Sequence, residues 1–533
     1  MGVVLFTTPY FYRSTAPPPP ERPAAPATTA QPAPAAATAP APASTAAPAP
    51  VAAQKAEDLV IETRLHRIRF SNRGATVRSW LLKKYRDRSG NPLELVNIKA
   101  DKVEPPFSLL FKNRKPPAEL NSALFSARRL ENGVEFEFSD GRVRASKRFR
   151  VKPDGYLAEV ATEVTEDGKG VPHAIEWRSG FGDMSVEGAA GAQHVVWFDP
   201  SSGKLVTQGA SDAKNGPVSS SGPYTFAGLA DAYFTAVFLP PGREIVEVTT
   251  FSDTVPAPSS AKDESHVGVA VGGAPLNRFG LFVGPKDLDI LTAVDPALGR
   301  LLDFGWFGFV AKPLFLALHW VHDHLIHNYG WAIILVTIVI NFVLFPLKIS
   351  SMKSMKKMQV LQPQIAAINE RYRNISLRDP RKTQQNQEVM ELYRRHGVNP
   401  AGGCIPLLLQ IPFFIALYTV LSVSIELRGA GWLWVDDLSR PEDLDIRILP
   451  LAMIASQFWM QKMTPATGMD PAQQKVMLLM PLLMGFMFYG MSSGLVLYWF
   501  TGNVVGIAQQ LFFNRTAVVT DIQTAPAQKK GKK

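Results

Sequence analysis

A single cysteine, Cys404, in 533 residues excludes an internal disulfide. The run Ala401-Gly402-Gly403-Cys404 that holds it faintly resembles a lipidation signal, but it lies deep in the chain and reads as small packing residues at a helix start. No G-x-x-x-x-G-K-[ST], H-E-x-x-H or G-x-S-x-G occurs, so neither nucleotide hydrolysis nor peptidase chemistry is indicated, and no cofactor is expected. Internal repeats, a common mark of transporters, are also missing. Acidic residues are outnumbered, 46 against 56 Lys and Arg, for a formal charge of +10. The basic residues gather beside apolar runs and in the terminal KKGKK, a placement that suits membrane orientation rather than direct nucleic-acid binding.

What is present divides sharply along the chain. Residues 1–12 (MGVVLFTTPYFY) are apolar but shorter than the roughly 20 residues a spanning helix needs, and read as the remnant of a first transmembrane anchor. Residues 13–57 are rich in Pro, Ala and Thr, a composition that forms an extended tether rather than a core. Residues 58–300 alternate in period 2. Ile61, Thr63 and Leu65 stand against Glu62, Arg64 and His66, and the runs Val134-Glu135-Phe136-Glu137-Phe138 and Ile245-Val246-Glu247-Val248 follow, with turns at Asp140-Gly141 and Asp154-Gly155. This is the pattern of a large antiparallel β-sandwich.

Residues 301–328 contain WFGFVAKPLFLALHWVHDHLIH, expected to be an amphipathic helix along the membrane surface. Its His319, His322, His324 and His327 lack an accompanying ligand pattern beyond Asp323, so they read as a polar face and no metal is expected. Five spans follow in 329–515, at about 329–347, 404–425, 448–463, 476–491 and 494–513. The segment 348–400 is rich in Lys and Arg, whereas 426–447 is dominated by acidic residues. The first is therefore cytoplasmic and the second external, which puts 58–300 outside and the basic tail 516–533 inside. An even number of spans is then required, and the missing one is assigned to the segment ending near Tyr12.

Within 348–400, Met352–Arg373 and Thr383–His396 form an amphipathic helical hairpin interrupted around Ser376–Pro380, with Met355, Met358, Leu361, Ile365 and Ile368 on its apolar face. Polar residues also punctuate the spans: Thr337 and Asn341 share one face with Lys348, and Gln410, Ser424, Ser456 or Gln457, Gln461, Asn503 and Gln509 recur in the others. Such groups are costly in hydrocarbon unless paired or wet, so they form either interhelical bonds or a shared cavity.

The blocks LQPQIAAINERY, ELYRRHGVNPAGGCIPLLLQIPFFIALY, QKMTPATGMDPAQQKVMLLMP and SSGLVLYWFTGNVVGIAQQ, in that order, resemble the YidC insertase family. The preceding β domain looks like its Gram-negative branch. The resemblance implies a polytopic α-helical membrane protein, a five-helix insertase core after a truncated N-terminal anchor, with a large all-β periplasmic supersandwich. It implies no enzyme chemistry, only insertion of nascent membrane proteins through a hydrophilic groove open to the lipid bilayer, with the Sec translocation channel and the ribosome as expected partners. Thr337, Asn341, Gln410 and Asn503 are then the groove candidates, Tyr498 and Trp499 the exit face, and Lys353, Lys356, Lys357, Arg371, Arg394 and Arg395 the basic face of a capture hairpin. Many relatives carry an arginine where this chain has Asn341, which removes a fixed charge. Lys348 is the one nearby cation, with an ammonium expected to snorkel to the interface. The alternative is a transporter or solute-sensing membrane protein that uses the β domain for binding.

Overall fold

The computed structural model describes residues 50–516 except 187, 257, 259–261, 373–378, 399–404 and 464–470. The anchor remnant, the tether up to residue 49, the Ser376–Arg378 break, Cys404 and the tail from 517 lie outside the described residues.

The alternating half folds into three antiparallel sheets. The first joins Asp58–Glu62, His66–Ser71, Thr76–Arg86 and Pro92–Glu94 in sequence order. The second runs, strand by neighbouring strand, Lys204–Gln208, His194–Asp199, Phe226–Ala230, Phe234–Leu239, Leu276–Pro285, Leu157–Glu166, Val143–Val151, Gly133–Ser139 and Ser126–Leu130. The third runs Val218–Gly222, Val246–Pro256, Asp263–Gly272, Ala174–Trp177 and Ser108–Leu110. Both expected turns connect strands: Asp140 accepts the amides of Arg142 and Val143 through its carboxylate, and Gly141 takes a φ of 91° that suits a residue without Cβ.

Phe107 pins the sheets together. It lies 5.6 Å from Trp177, 5.2 Å from Phe149 and 6.3 Å from Trp80, ring centre to ring centre. Strand 143–151 places Val143, Ala145, Phe149 and Val151 inward and, at the same parity, Lys147. The ammonium survives there by donating to the Gly74 and Phe107 carbonyls at 2.6 and 2.7 Å, and burial lowers its pKa to about 7.

The expected alternation through residues 61–66 is corrected by a turn. Thr63 Oγ1 accepts the amides of Leu65 and His66, splitting the run into two paired strands and resetting which parity faces inward. His66 is therefore buried, with Nδ1 accepting the Trp80 indole N–H at 3.0 Å. Ile245 likewise falls outside its strand and is exposed.

The helical half begins with α1 (Leu288–Val294), capped by the Asp287 carboxylate, and α2 (Gly308–His324). α2 buries Ala311, Leu314, Phe315, Leu318 and Val321 against the bundle while exposing Phe309, Leu316 and Trp320. Its exposed face thus carries large apolar side chains as well. His319 contacts Asp289 and Asp323, and His322 stacks on Tyr329 with ring centres 3.9 Å apart.

The five segments read as spans are helical: α3 (Tyr329–Val343), α7 (Ile405–Val423), α8 (Ile448–Met463), α9 (Pro471–Phe488) and α10 (Ser493–Thr516). Between the first two lie α4 (Phe345–Val360), α5 (Gln362–Arg371) and α6 (Arg381–Arg395). α3 bends by 58° into α4. Pro346, in the first turn of α4, cannot donate the backbone bond that would carry α3 onward. Pro363 in the first turn of α5 similarly divides the single stretch expected over 352–373. Met358, Leu361, Ile365, Tyr393 and Val398 form the small core of this hairpin.

Where the two halves touch, the loop after α7 supplies charge. Arg428 packs its guanidinium beside Phe234, donates to the Arg86 carbonyl at 2.7 Å and approaches Asp183 at 2.6 Å, an off-axis ion contact rather than a directed hydrogen bond. Arg440 stands 3.7 Å from the same carboxylate. The side chains of Arg428 and Asp183 are only 7 and 5 % exposed. Asp183 is itself positioned by its amide, which donates to Asp231 at 2.8 Å.

Candidate functional site

The polar stripe on α3 begins at Thr337, whose hydroxyl donates to the Ile333 carbonyl one turn back. This common resolution for a threonine in an apolar helix leaves the Thr337 methyl, not its O–H, as the group it presents. Asn341 repeats the device, its amide N–H donating to the Thr337 carbonyl at 2.8 Å. Its Oδ1 remains as an acceptor. Lys348, two turns on and across the bend, swings back so that Nζ donates to that oxygen at 2.6 Å and lies 3.5 Å from Gln509 Oε1 on α10. Gln509 closes the ring by donating to the Asn341 carbonyl at 3.1 Å.

The ammonium does not reach for the interface, contrary to the expectation of snorkelling. The bend brings α4 under α3, so the shortest polar route for the four-carbon stem leads inward. All the acceptors around Lys348 are neutral amides; no ion pair involves it among the described residues. Among the described residues its positive charge is therefore unmatched.

Asn341 and Lys348 line a cleft with Gln410 and Phe413 of α7, Tyr498 of α10, and Ile340, Leu344 and Leu347. Its volume is about 20 Å³, enough for about one water molecule and far short of a polypeptide.

The other candidates lie elsewhere. Thr337 is buried above the cleft and Asn503 faces α8, where its amide donates to Ser456 Oγ at 3.0 Å. Trp499 packs against Phe414 and Phe488, each 5.0 Å away, and donates to Gln457. On the hairpin, Lys353, Lys357 and Arg394 are exposed, Lys356 lies over the Phe513 ring, Arg371 pairs with Glu388 and Arg395 with Glu391. Sequence reasoning missed Gln509 as a partner of Asn341, and the signal available was only its polarity within an apolar helix.

A sandwich of this size joined to a bundle of apolar helices with a small polar cleft defines a two-part protein, one part all-β and the other helical. Comparison with known proteins agrees on both parts. The family model described as YidC periplasmic domain matches residues 58–317, and that described as 60Kd inner membrane protein matches 320–520. A membrane protein insertase YidC of Geobacter sp. (strain M21) is 34% identical over 477 residues, covering 86% of each chain. That of Wolinella succinogenes is 47% identical over 236 residues, 44% of this chain and 42% of its own. The crystal structure of YidC from Thermotoga maritima aligns with 86% of this chain and 98% of its own, at 15% identity and a TM-score of 0.29. The chain belongs to the YidC family of membrane protein insertases: an inner-membrane protein with a periplasmic domain that acts on membrane protein substrates and is not an enzyme.

Proposed function

We propose that the cleft between α3, α7 and α10 is the polar passage through which a substrate's hydrophilic flank enters the membrane, and that Lys348 supplies its charge. The observation carrying this reading is the Lys348 ammonium held 2.6 Å from Asn341 with no carboxylate paired to it among the described residues. A half-buried cation satisfied only by amides stands to gain from an arriving anion, because charge-assisted bonds are roughly twice as strong as neutral ones. Asn341 is then the group that holds the ammonium inward. In this reading the passage opens by separation of α7 from α10. Tyr498 lines the way in, and Trp499 with Phe414 forms the apolar side along which the substrate segment passes to lipid.

Each polar group that meets water or Lys348 instead of hydrocarbon avoids a cost on the order of several kcal/mol. Transfer of the apolar segment supplies about 0.3–0.6 kcal/mol per central Leu, Ile, Phe or Val. Thr337 and Asn503 brace the bundle around the passage. The hairpin α4–α6, with Lys353, Lys357 and Arg394 facing solvent, receives the emerging chain, from a ribosome or from the Sec channel.

The test is insertion of single-span substrates with acidic or neutral translocated tails into proteoliposomes. Lys348→Met should slow the acidic-tailed substrate about tenfold, the loss of one strengthened hydrogen bond of roughly 1.5 kcal/mol, and spare the neutral one; Asn341→Leu should slow both. Equal loss for both tails in Lys348→Met would remove the charge role.

A further inference from the structure

The periplasmic half contains a cavity apart from the cleft at Lys348. It has a volume of about 770 Å³ and lies between the hairpin of strands 66–71 and 76–86, the 96–106 loop, and the Arg178–Ser179 end of strand 174–177. That size falls in the range of ligand sites. The two side-chain amides of its lining are already engaged. Asn97 donates to the Ser179 and Pro256 carbonyls and accepts from the Lys99 amide, while Asn121 both donates to and accepts from the Leu109 backbone.

Of the lining cations, Arg178 pairs with Asp253 and Arg69 lies 4.0 Å from Asp58. Arg73, Arg78 and Lys102 form no ion pair among the described residues. Asp101 and Glu104 also form no ion pair among the described residues and stand exposed, as Arg73 and Lys102 do, while Arg78 is half-buried in the wall. Ser179 lines the wall with a φ of 70°, an unfavourable conformation for a residue with a Cβ, fixed by the Asn97 bond and by its own amide donating to Asp253.

We propose that this cavity binds a ligand bearing carboxylate or phosphate groups through Arg73, Arg78 and Lys102. The five cations of the wall outnumber its three carboxylates, Asp58, Asp101 and Glu104, so the site carries a positive excess that anionic acceptors satisfy most strongly. Its location narrows the source. Arg86, eight residues along the strand from Arg78, meets the membrane half through Arg428, and eight residues of strand span about 26 Å. That separation from the Arg428 contact favours a soluble anion over a phospholipid headgroup of the bilayer. The ligand is a soluble anion, either a small multivalent one or the acidic side chains of an extended polypeptide.

The test uses the full chain in nanodiscs, titrated separately with inorganic phosphate, with a fluorescent Asp-rich peptide and with its Asn-substituted counterpart. Saturable binding of phosphate or the acidic peptide, weakening with salt and falling about tenfold or more in the triple variant Arg73→Gln/Arg78→Gln/Lys102→Gln, supports the site, and whichever probe binds identifies the source. All three residues present charge at the surface of the domain, and an unchanged melting temperature in the variant confirms that its fold is intact. Binding of neither anionic probe, equal binding of the neutral peptide, or wild-type affinity in the folded triple variant overturns the proposal.

Discussion

Replacing Asp183 with Asn should loosen the periplasmic domain from the membrane core without unfolding either. The substitution keeps the side chain's shape and its acceptor for the Ser185 amide, but removes the one carboxylate that both Arg428 and Arg440 approach. Arg428 is then left nearly enclosed, with the Arg86 carbonyl and the Phe234 and Tyr233 rings as its remaining company. Removing one partner of a buried pair costs roughly 3–5 kcal/mol because the other charge stays desolvated. That cost corresponds to a shift of about two to three and a half orders of magnitude in the ratio of docked to undocked states. Arg440 moderates the effect, since it retains Asp437 at 3.4 Å. Hydrogen exchange read by mass spectrometry on the full chain in nanodiscs should show faster exchange at residues 425–440 and 183–186, with the strands of the sandwich unchanged. The double variant Asp183→Asn/Arg428→Met should cost less than the two single changes together, because the second removes the stranded charge. Unaltered exchange in Asp183→Asn, or strict additivity in the cycle, would refute the reasoning.

Two further outcomes follow from the same contact region. Burial raises the Glu426 carboxyl to about 7, with Asp287 and Asp289 adding to the effect and His319 opposing it. The folded state therefore holds this proton more tightly than the unfolded one, so stability is lost as pH rises from about 4.5 through about 7. Glu426→Gln should flatten that part of the melting profile and raise the melting temperature at pH 8; an unchanged pH profile counts against it. Gly182 has a φ of 98°, and a Cβ there would lie 1.9 Å from Asp231 Oδ2. Gly182→Ala should displace Asp231, lower the melting temperature by several degrees and speed exchange at the same loop; a wild-type melt would show that Asp231 yields freely.

The division of the chain, its helices and its sandwich were legible because period, length and charge asymmetry are carried by many residues at once. The failures came where one residue decided. A threonine turn reset the parity that placed His66, and Lys147 occupies an inward position that no alternation rule would give a lysine. In the cleft, Asn341 and Lys348 were recognisable as one helix face, but the direction of the ammonium depends on a 58° bend that Pro346 permits without fixing its angle. Asn503 shows the converse. A polar residue in an apolar helix can bond across to a neighbour or face a cavity, and only the position of Ser456 distinguishes the two. The arginines of the loop after α7 were overlooked because the acidic majority there answered the orientation question, while Asp183, their counter-charge, lies about 245 residues earlier.

The same short loop that receives Asp183 also begins the last helix of the bundle. The Arg440 and Leu438 carbonyls accept the amides of Ser493 and Gly494, the first residues of α10. A variant lacking the β domain would therefore do more than discard an appendage. It would uncover two guanidiniums and a patch of loop at the mouth of the bundle, and remove the counterweight from the very turn on which the helix bearing Tyr498 is hung. Loss of insertion in such a truncated protein would report a misaligned helix as readily as a missing binding surface, and restoring an acidic side chain opposite Arg428 would tell the two apart.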